Sequence, residues 1–223
     1  TSGTIAVSNS AGLGSGAVTM NGGTLNTSVN LANPIVLNDT ANTIAPNGNY
    51  RQLSGQISGP GGFTVAGGGG TPGLELTNPA NSFAGDVTIN GGTYLRLTAS
   101  EVLPDAVSVI NNGNLRLDVA GGGVETIAGL SGGGSVWVPT TNSAMHTLVV
   151  GAADASSTFA GTIGASGQNN AYLRLTKIGA GTLTLTGNNP YTGPTTINGG
   201  TLELRSLGTG AYTYAGGALA INN

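Results

Sequence analysis

The chain has 223 residues, of which 41 are glycine, none is cysteine, and only six basic and nine acidic side chains carry charge, 7% in all against roughly 25% in an ordinary domain. Bases this few and this scattered cannot neutralise a run of phosphates, which argues against a nucleic-acid partner, and the missing thiols exclude disulfide staples and thiolate metal sites. No stretch approaches the ~20 consecutive apolar residues of a membrane helix, so direct membrane insertion through a helix is not expected.

The chain begins at Thr1 without Met and without a signal peptide, as a processed product or an excerpt would. Thr4-Ile5-Ala6-Val7 reads as a strand already under way. The stretch from Gly16 to Asn26, GAVTMNGGTLN, then sets a phrase that returns twice: GDVTINGGTYL from Gly85 to Leu95 and GPTTINGGTLE from Gly193 to Glu203. Looser copies run from Ala106 to Leu117 and from Tyr212 to Ile221. A second phrase precedes two of these copies, LELTNPANSFAGD from Leu74 and LTLTGNNPYTGP from Leu183. Joint recurrence of two phrases marks a repeat architecture.

Each phrase has a physical reading. Val87, Ile89 and Leu95 alternate with polar residues, as do Leu183, Leu185, Leu202 and Leu204, and period-two alternation describes a strand with one buried face. Asn-Gly-Gly at 21–23, 90–92 and 198–200 separates such strands. Asn-Gly is a hairpin signal, which leaves antiparallel hairpins as the alternative. Two features favour corners of a solenoid. The flanking runs are three to five residues long, short for isolated hairpins, and the repeating unit holds two or three of them before it recurs. Helix is expected at most around Ser100 to Ala106, where Pro104 limits it. Glycine runs at 67–70, 121–123 and 132–134 exclude longer helices. Stacked coils would set inward Leu, Ile and Val in columns. Arg96, Arg116, Arg174, Glu75 and Glu203, each between leucines or beside one, would point outward as solvated positions.

The stretch Leu175-Thr176-Lys177-Ile178-Gly179-Ala180-Gly181 to Gly193, continued by Ile197-Asn198-Gly199-Gly200-Thr201-Leu202, resembles the autotransporter-associated β-strand repeat. The likeness is tightest over residues 173–204, good over 74–97, and looser over 54–67, 129–163 and 11–25. It implies an all-β fold, a right-handed single-stranded parallel β-helix of about ten to eleven coils over residues 1–223, from the passenger of a secreted bacterial protein. It also implies a stalk-like, often adhesive role at the cell surface. The C-terminal outer-membrane barrel usual in that family has no counterpart in the strand pattern here.

Parallel β-helices include polysaccharide-degrading enzymes, which need paired carboxylates. The pairs within reach in sequence are Glu75 with Asp86, Glu101 with Asp105, and Asp118 with Glu125, none beside a basic cluster. His146, the single histidine, reads as a surface or internally satisfied residue. The glycine runs lead into Thr71, Val124 and Ser135 rather than aspartate, so calcium-binding β-roll repeats are absent. Asn26 and Asn38 head formal glycosylation triplets. Tyr94, Tyr172, Tyr191, Tyr212 and Tyr214 could stack on sugars, but serve equally as strand and corner residues. No catalytic, cofactor-binding or metal residue is assigned.

Neither end reads as a cap, and ALAINN followed by TSGTIAV would pass for an ordinary turn. End-to-end self-association, or covalent continuation into further repeats, is therefore expected. The function this points to is a non-catalytic extracellular stalk or filament, with an adhesin binding a cell surface or glycan as the alternative and a polysaccharide-degrading enzyme third.

Overall fold

A computed structural model describes residues 3–67, 72–205 and 210–221, with Tyr212 described by its backbone alone. The chain winds as a parallel β-solenoid of about 10 turns with almost no helix, and all strand pairs among the described residues run parallel. At ~4.8 Å per coil that is a rod about 48 Å long.

Each coil lays strands on up to three faces. The first face stacks Gly3–Val7, Gly23–Thr27, Asn42–Pro46, Phe63–Val65, Val87–Ile89, Val109–Asn111 and Leu130–Ser131. A bridge from Gly132 to Phe159 carries that stack into Ser157–Phe159, Thr182–Leu185, Thr201–Leu204 and Ala218–Ile221. The second face holds Arg51–Leu53, Gly73–Leu76, Tyr94–Leu97, Asn114–Leu117, Ser135–Trp137 and Thr162–Ile163. On the third, Val18–Met20 to Ser82–Phe83 form one sheet and Gly123–Ile127 to Tyr212–Tyr214 another.

The hairpin alternative fails on register. Val87–Ile89 pairs with Phe63–Val65 on one side and Val109–Asn111 on the other, one coil away in each direction. The Asn-Gly-Gly segments are corners. Coil length varies because corners absorb insertions: the coil that sets Thr201 over Ala218 is short, whereas the coil that sets Gly132 over Phe159 is long.

Period two sorts the side chains as expected. Leu74, Leu95, Leu115, Val136 and Ile163 stack inward on the second face, and all five are fully buried. Outward on the first face, Thr4, Thr24, Thr43, Thr64 and Thr88 stack in register. Such cross-strand threonine pairs solvate a strand surface without charge. The repeated phrase is not tied to one face. Its strand Val87–Ile89 lies on the first face, but the equivalent Thr195–Ile197 lies on the third. The faces therefore make the same demand on sequence: alternation, then a glycine corner.

The phrase before it builds a corner by side-chain hydrogen bonds. Asn81 accepts the Ile57 amide and donates to the Val102 carbonyl; Asn189 accepts the Ile163 amide and donates to Gly187. Two residues on, Phe83 packs edge-on to Phe63 at 5.4 Å, and Tyr191 is buried with its hydroxyl 2.6 Å from Thr195 Oγ1. Gly187 allows the coils to touch, since a Cβ there would stand 1.8 Å from the Gly161 carbonyl oxygen.

The expected helical turn at 100–106 does not form. Glu101 adopts a left-handed φ of 51°, and the Val102 and Leu103 amides donate to Glu125 rather than to a helix. Short 3₁₀ turns occur instead at Ser10–Leu13, Ala152–Asp154 and Asn170–Tyr172.

Lys177 and Glu125 stand buried in the inward columns. Lys177, between Val150 and Ile197, is fully buried and donates to the carbonyls of Ile178 at 2.5 Å, Gly179 at 3.1 Å and Gly199 at 3.4 Å. Burial lowers its pKa, and Asp154 opposes that shift. Glu125, over Leu148, is 2% exposed. Burial raises its pKa to about 8, with the Leu103 and Val102 amides pulling it down and the charges of Glu101 and Asp105 pushing it up.

A pKa raised from 4.5 to about 8 in the folded state means the fold holds a proton that the unfolded chain releases. This contribution to stability is fully present below pH 4.5 and is lost as pH rises through about 8. Urea unfolding at about pH 5 and about pH 8.5 should show the chain losing up to about 4 kcal/mol on this account. Glu125→Gln should remove that pH dependence, and an unchanged slope in the variant would assign the effect elsewhere.

Candidate binding face

The outward side of the second face gathers charged side chains one above another and pairs them. Register stacks Gln52, Glu75, Arg96, Arg116 and Trp137 one coil apart. They are not separately solvated, as the sequence suggested for Glu75, Arg96 and Arg116. Arg96 bridges Glu75 and Asp118 at 2.7 Å each, and Arg116 reaches Asp118 at 2.7 Å. Gln52 donates to Glu75, and the side chains of Glu75 and Asp118 are only 14% and 8% exposed. Arg174 is exposed, as expected, while Glu203 accepts from Thr184 Oγ1 at 2.9 Å.

Rings lie against this ladder. Tyr50 and Tyr94 meet edge-to-face at 6.1 Å, and Tyr94 meets Trp137 at 6.4 Å. Gly73, between the two tyrosines in the stack, makes room: a Cβ there would stand 2.4 Å from the Tyr50 ring. Arg96 and Arg116 lie over Tyr50 at 5.6 and 5.7 Å, and Arg116 over Trp137 at 5.3 Å. Guanidinium planes favour aromatic faces by electrostatics with the ring quadrupole.

At the corner beyond Asn114–Leu117, a cleft of 460 Å³ opens between Arg96, Asp118 and Gly121 on one side and Thr141, Asn142 and Ser143 on the other. Asn142 fixes its outer wall, donating to Asp118 Oδ1 at 3.1 Å and to the Val119 carbonyl at 3.0 Å. Asn169, one coil on, donates to Pro139, Thr140 and Asn142 carbonyls and locks the same loop.

The other candidates fall into structural places. His146 is buried, its Nδ1 2.8 Å from the Ala144 carbonyl and its Nε2 accepting the Val119 amide at 2.9 Å. Of the carboxylate pairs, Asp118 is engaged by two arginines while Glu125 points into the core, so they do not face one substrate. Glu101 is occupied with the Thr126 amide and hydroxyl, and Asp86 accepts from the Ser108 amide. Tyr191 is a corner residue. Asn26 precedes Thr27, which is buried with its hydroxyl on the Val29 carbonyl. Most of the run at 67–70, together with Thr71, lies outside the described residues, as do Thr1 and Asn223 of the joined ends and the side chain of Tyr212. Among the described residues, no group of three or more His, Cys, Asp or Glu could hold a metal, and no helix is long and apolar enough to cross a membrane.

Residues 63–93 and 175–204 match the model of the passenger-associated-transport-repeat. These two stretches read as passenger-associated transport repeats. The two matches fall on the stretches where the resemblance is strongest, and they include the Asn81 and Asn189 corners. Among curated proteins, the chain is 35% identical over 225 residues to the Adhesin BmaC autotransporter of Brucella suis biovar 1 (strain 1330). That alignment covers 82% of this chain but 6% of the relative's length. No solved structure matches. Both similarities are to an autotransporter passenger or adhesin and neither is to an enzyme. This face lies partly outside the matched repeats: Tyr50, Arg96, Arg116, Asp118 and Trp137 are all beyond residues 63–93 and 175–204.

Proposed function

We propose that this chain is a rigid, non-catalytic section of an extracellular passenger, holding surface-exposed parts of a bacterial adhesin away from the cell. The observation that carries this reading is the coil-to-coil parallel stacking over about 10 turns, with inward columns that bury Leu, Ile and Val. In a stack of that kind each coil depends only on its neighbours, so the same rule yields a stiff rod of any length. Ile5 and Ile221, 44% and 43% exposed, sit on the outermost described coils and suit stacking against a further coil of the same chain or a second copy. The relative named as an adhesin supports surface display. A second reading, that this section itself adheres, rests on the aromatic and guanidinium face.

Small-angle scattering of the purified chain tests the spacer role, with an expected cross-section of one solenoid and a length of about 48 Å. Incubation with plant and bacterial polysaccharides should release no reducing ends. A compact, isotropic particle, or steady turnover of any polysaccharide, would overturn the proposal.

A further inference from the structure

We infer that the outward second face, from Tyr50 to Trp137, together with the cleft beside Asp118, is a binding site for a neutral oligosaccharide. Three observations converge there. The first is the concentration of rings: the single tryptophan of the chain and two of its six tyrosines line one strip, in a protein with 4% aromatic residues. All three are half-buried, so each keeps an accessible edge or face. The apolar C–H face of a pyranose ring packs on such a surface while its hydroxyls stay free to hydrogen-bond.

The second is charge balance. Arg96 and Arg116 are matched by Glu75 and Asp118 through the ion pairs at 2.7 Å, so these four groups balance in charge. The ladder does present what a polyol needs: guanidinium donors in fixed planes and, on Glu75, carboxylate lone pairs beyond those that Gln52 and Arg96 use. The hydroxyls of Thr141 and Ser143 extend this polar edge along the cleft, while the Asn142 carboxamide is spent on holding its wall. A cleft of 460 Å³ is within the range of small-ligand sites.

The third is spacing. The solenoid sets equivalent groups ~4.8 Å apart, close to the length of one pyranose unit in an extended chain, so successive coils meet successive sugars. The rings of Tyr50, Tyr94 and Trp137 follow one another at 6.1 and 6.4 Å, a strip long enough for about two sugar units. The loop holding Asn142 belongs to the long coil between Gly132 and Phe159, and Asn169 pins it in place from the next coil. The wall of the cleft is thus an added, fixed structure. This site and the spacer role stand independently, since a rod can carry a ligand face or lack one.

Trp137, alone in the chain, reports directly on occupancy. Its emission is followed while cellotetraose, chitotetraose, mannotetraose and maltotetraose are added separately to the intact chain. The expected result is a saturable change with at least one of them below about 10 mM, insensitive to about 0.5 M NaCl. Tyr94→Ala should weaken that binding at least about tenfold, and Ser143→Trp, which fills the cleft, should displace the sugar in a competition read by calorimetry. Tyr214→Ala, exposed on a coil near the far end of the rod, should change nothing. Melting curves matching the parent show that each variant still forms the rod. No saturable change with any of the four sugars, or a response only to heparin that salt abolishes, would overturn the inference while leaving the rod intact.

Discussion

A carboxylate placed at Leu95 will unfold the middle of the rod. Leu95 is fully buried between Leu74 and Leu115, and neither neighbour can donate a hydrogen bond from its side chain. Leu95→Ala would remove buried methylenes and leave a cavity, at about 2–5 kcal/mol. Leu95→Asp adds an ion with no partner, and the combined cost should exceed about 5 kcal/mol, comparable to the whole stability of many domains. Because coils contact only adjacent coils, the damage should spread from this point rather than abolish all structure. Hydrogen exchange should show lost protection first in amides 74–117, with those of 173–204 retained longest. Uniform, simultaneous loss along the chain would mean that the rod unfolds as one cooperative unit instead. Glu125 shows why an inward acid is tolerated elsewhere: two backbone amides, of Val102 and Leu103, meet it.

Gly187→Ala should be nearly as damaging, although it adds one methyl group. A Cβ at that site would stand 1.8 Å from the Gly161 carbonyl oxygen and 2.7 Å from that of Ala160, both backbone atoms of the preceding coil. Neither can swing aside as a side chain would, so the coils must part or the corner must break. The expected cost is about 3–5 kcal/mol, read as a drop in the urea midpoint at constant slope. Gly92→Ala is the control. Its φ of +78° strains an alanine, but nothing lies within 4 Å, so only about 1–2 kcal/mol should be lost. Equal losses at the two sites would show that backbone conformation, and not close approach of coils, sets the requirement for glycine.

Alternation and recurrence made the solenoid legible. The columns through Leu95 and Ile89 follow from period two, and the corners follow from Asn-Gly-Gly and the Asn-Pro phrases. The charges were harder. Lys177 shares its parity with Leu173 and Leu175, and Glu125 shares its parity with Ile127, so both were marked as inward by spacing alone. What sequence lacked was the partner for each: carbonyls at a glycine corner for Lys177, and amides of an irregular stretch, one coil earlier, for Glu125. The binding face was hidden for a related reason. Arg96 and Arg116 are separated by a whole coil of sequence, and Tyr50 and Trp137 by several. They become neighbours only once the register of Tyr94–Leu97 on Asn114–Leu117 is fixed. Coil length differs between the Thr201-to-Ala218 and Gly132-to-Phe159 steps, which blocks that inference from a fixed period. The same variability lets one phrase fall on different faces.

The parallel register is the claim on which the rest depends, and the absence of cysteine from the chain gives it a clean test. Thr64 and Thr88 are register partners on neighbouring coils, at a separation of ~4.8 Å that a disulfide can span. Thr43 and Thr88 are two coils apart, ~9.6 Å, beyond that reach. The measurement is intramolecular disulfide formation under mild oxidation in the two double-cysteine variants, Thr64→Cys with Thr88→Cys and Thr43→Cys with Thr88→Cys. The solenoid predicts rapid closure of the first pair and none of the second. Failure of the 64–88 pair to close while the variant stays folded, or closure of both pairs alike, would contradict it.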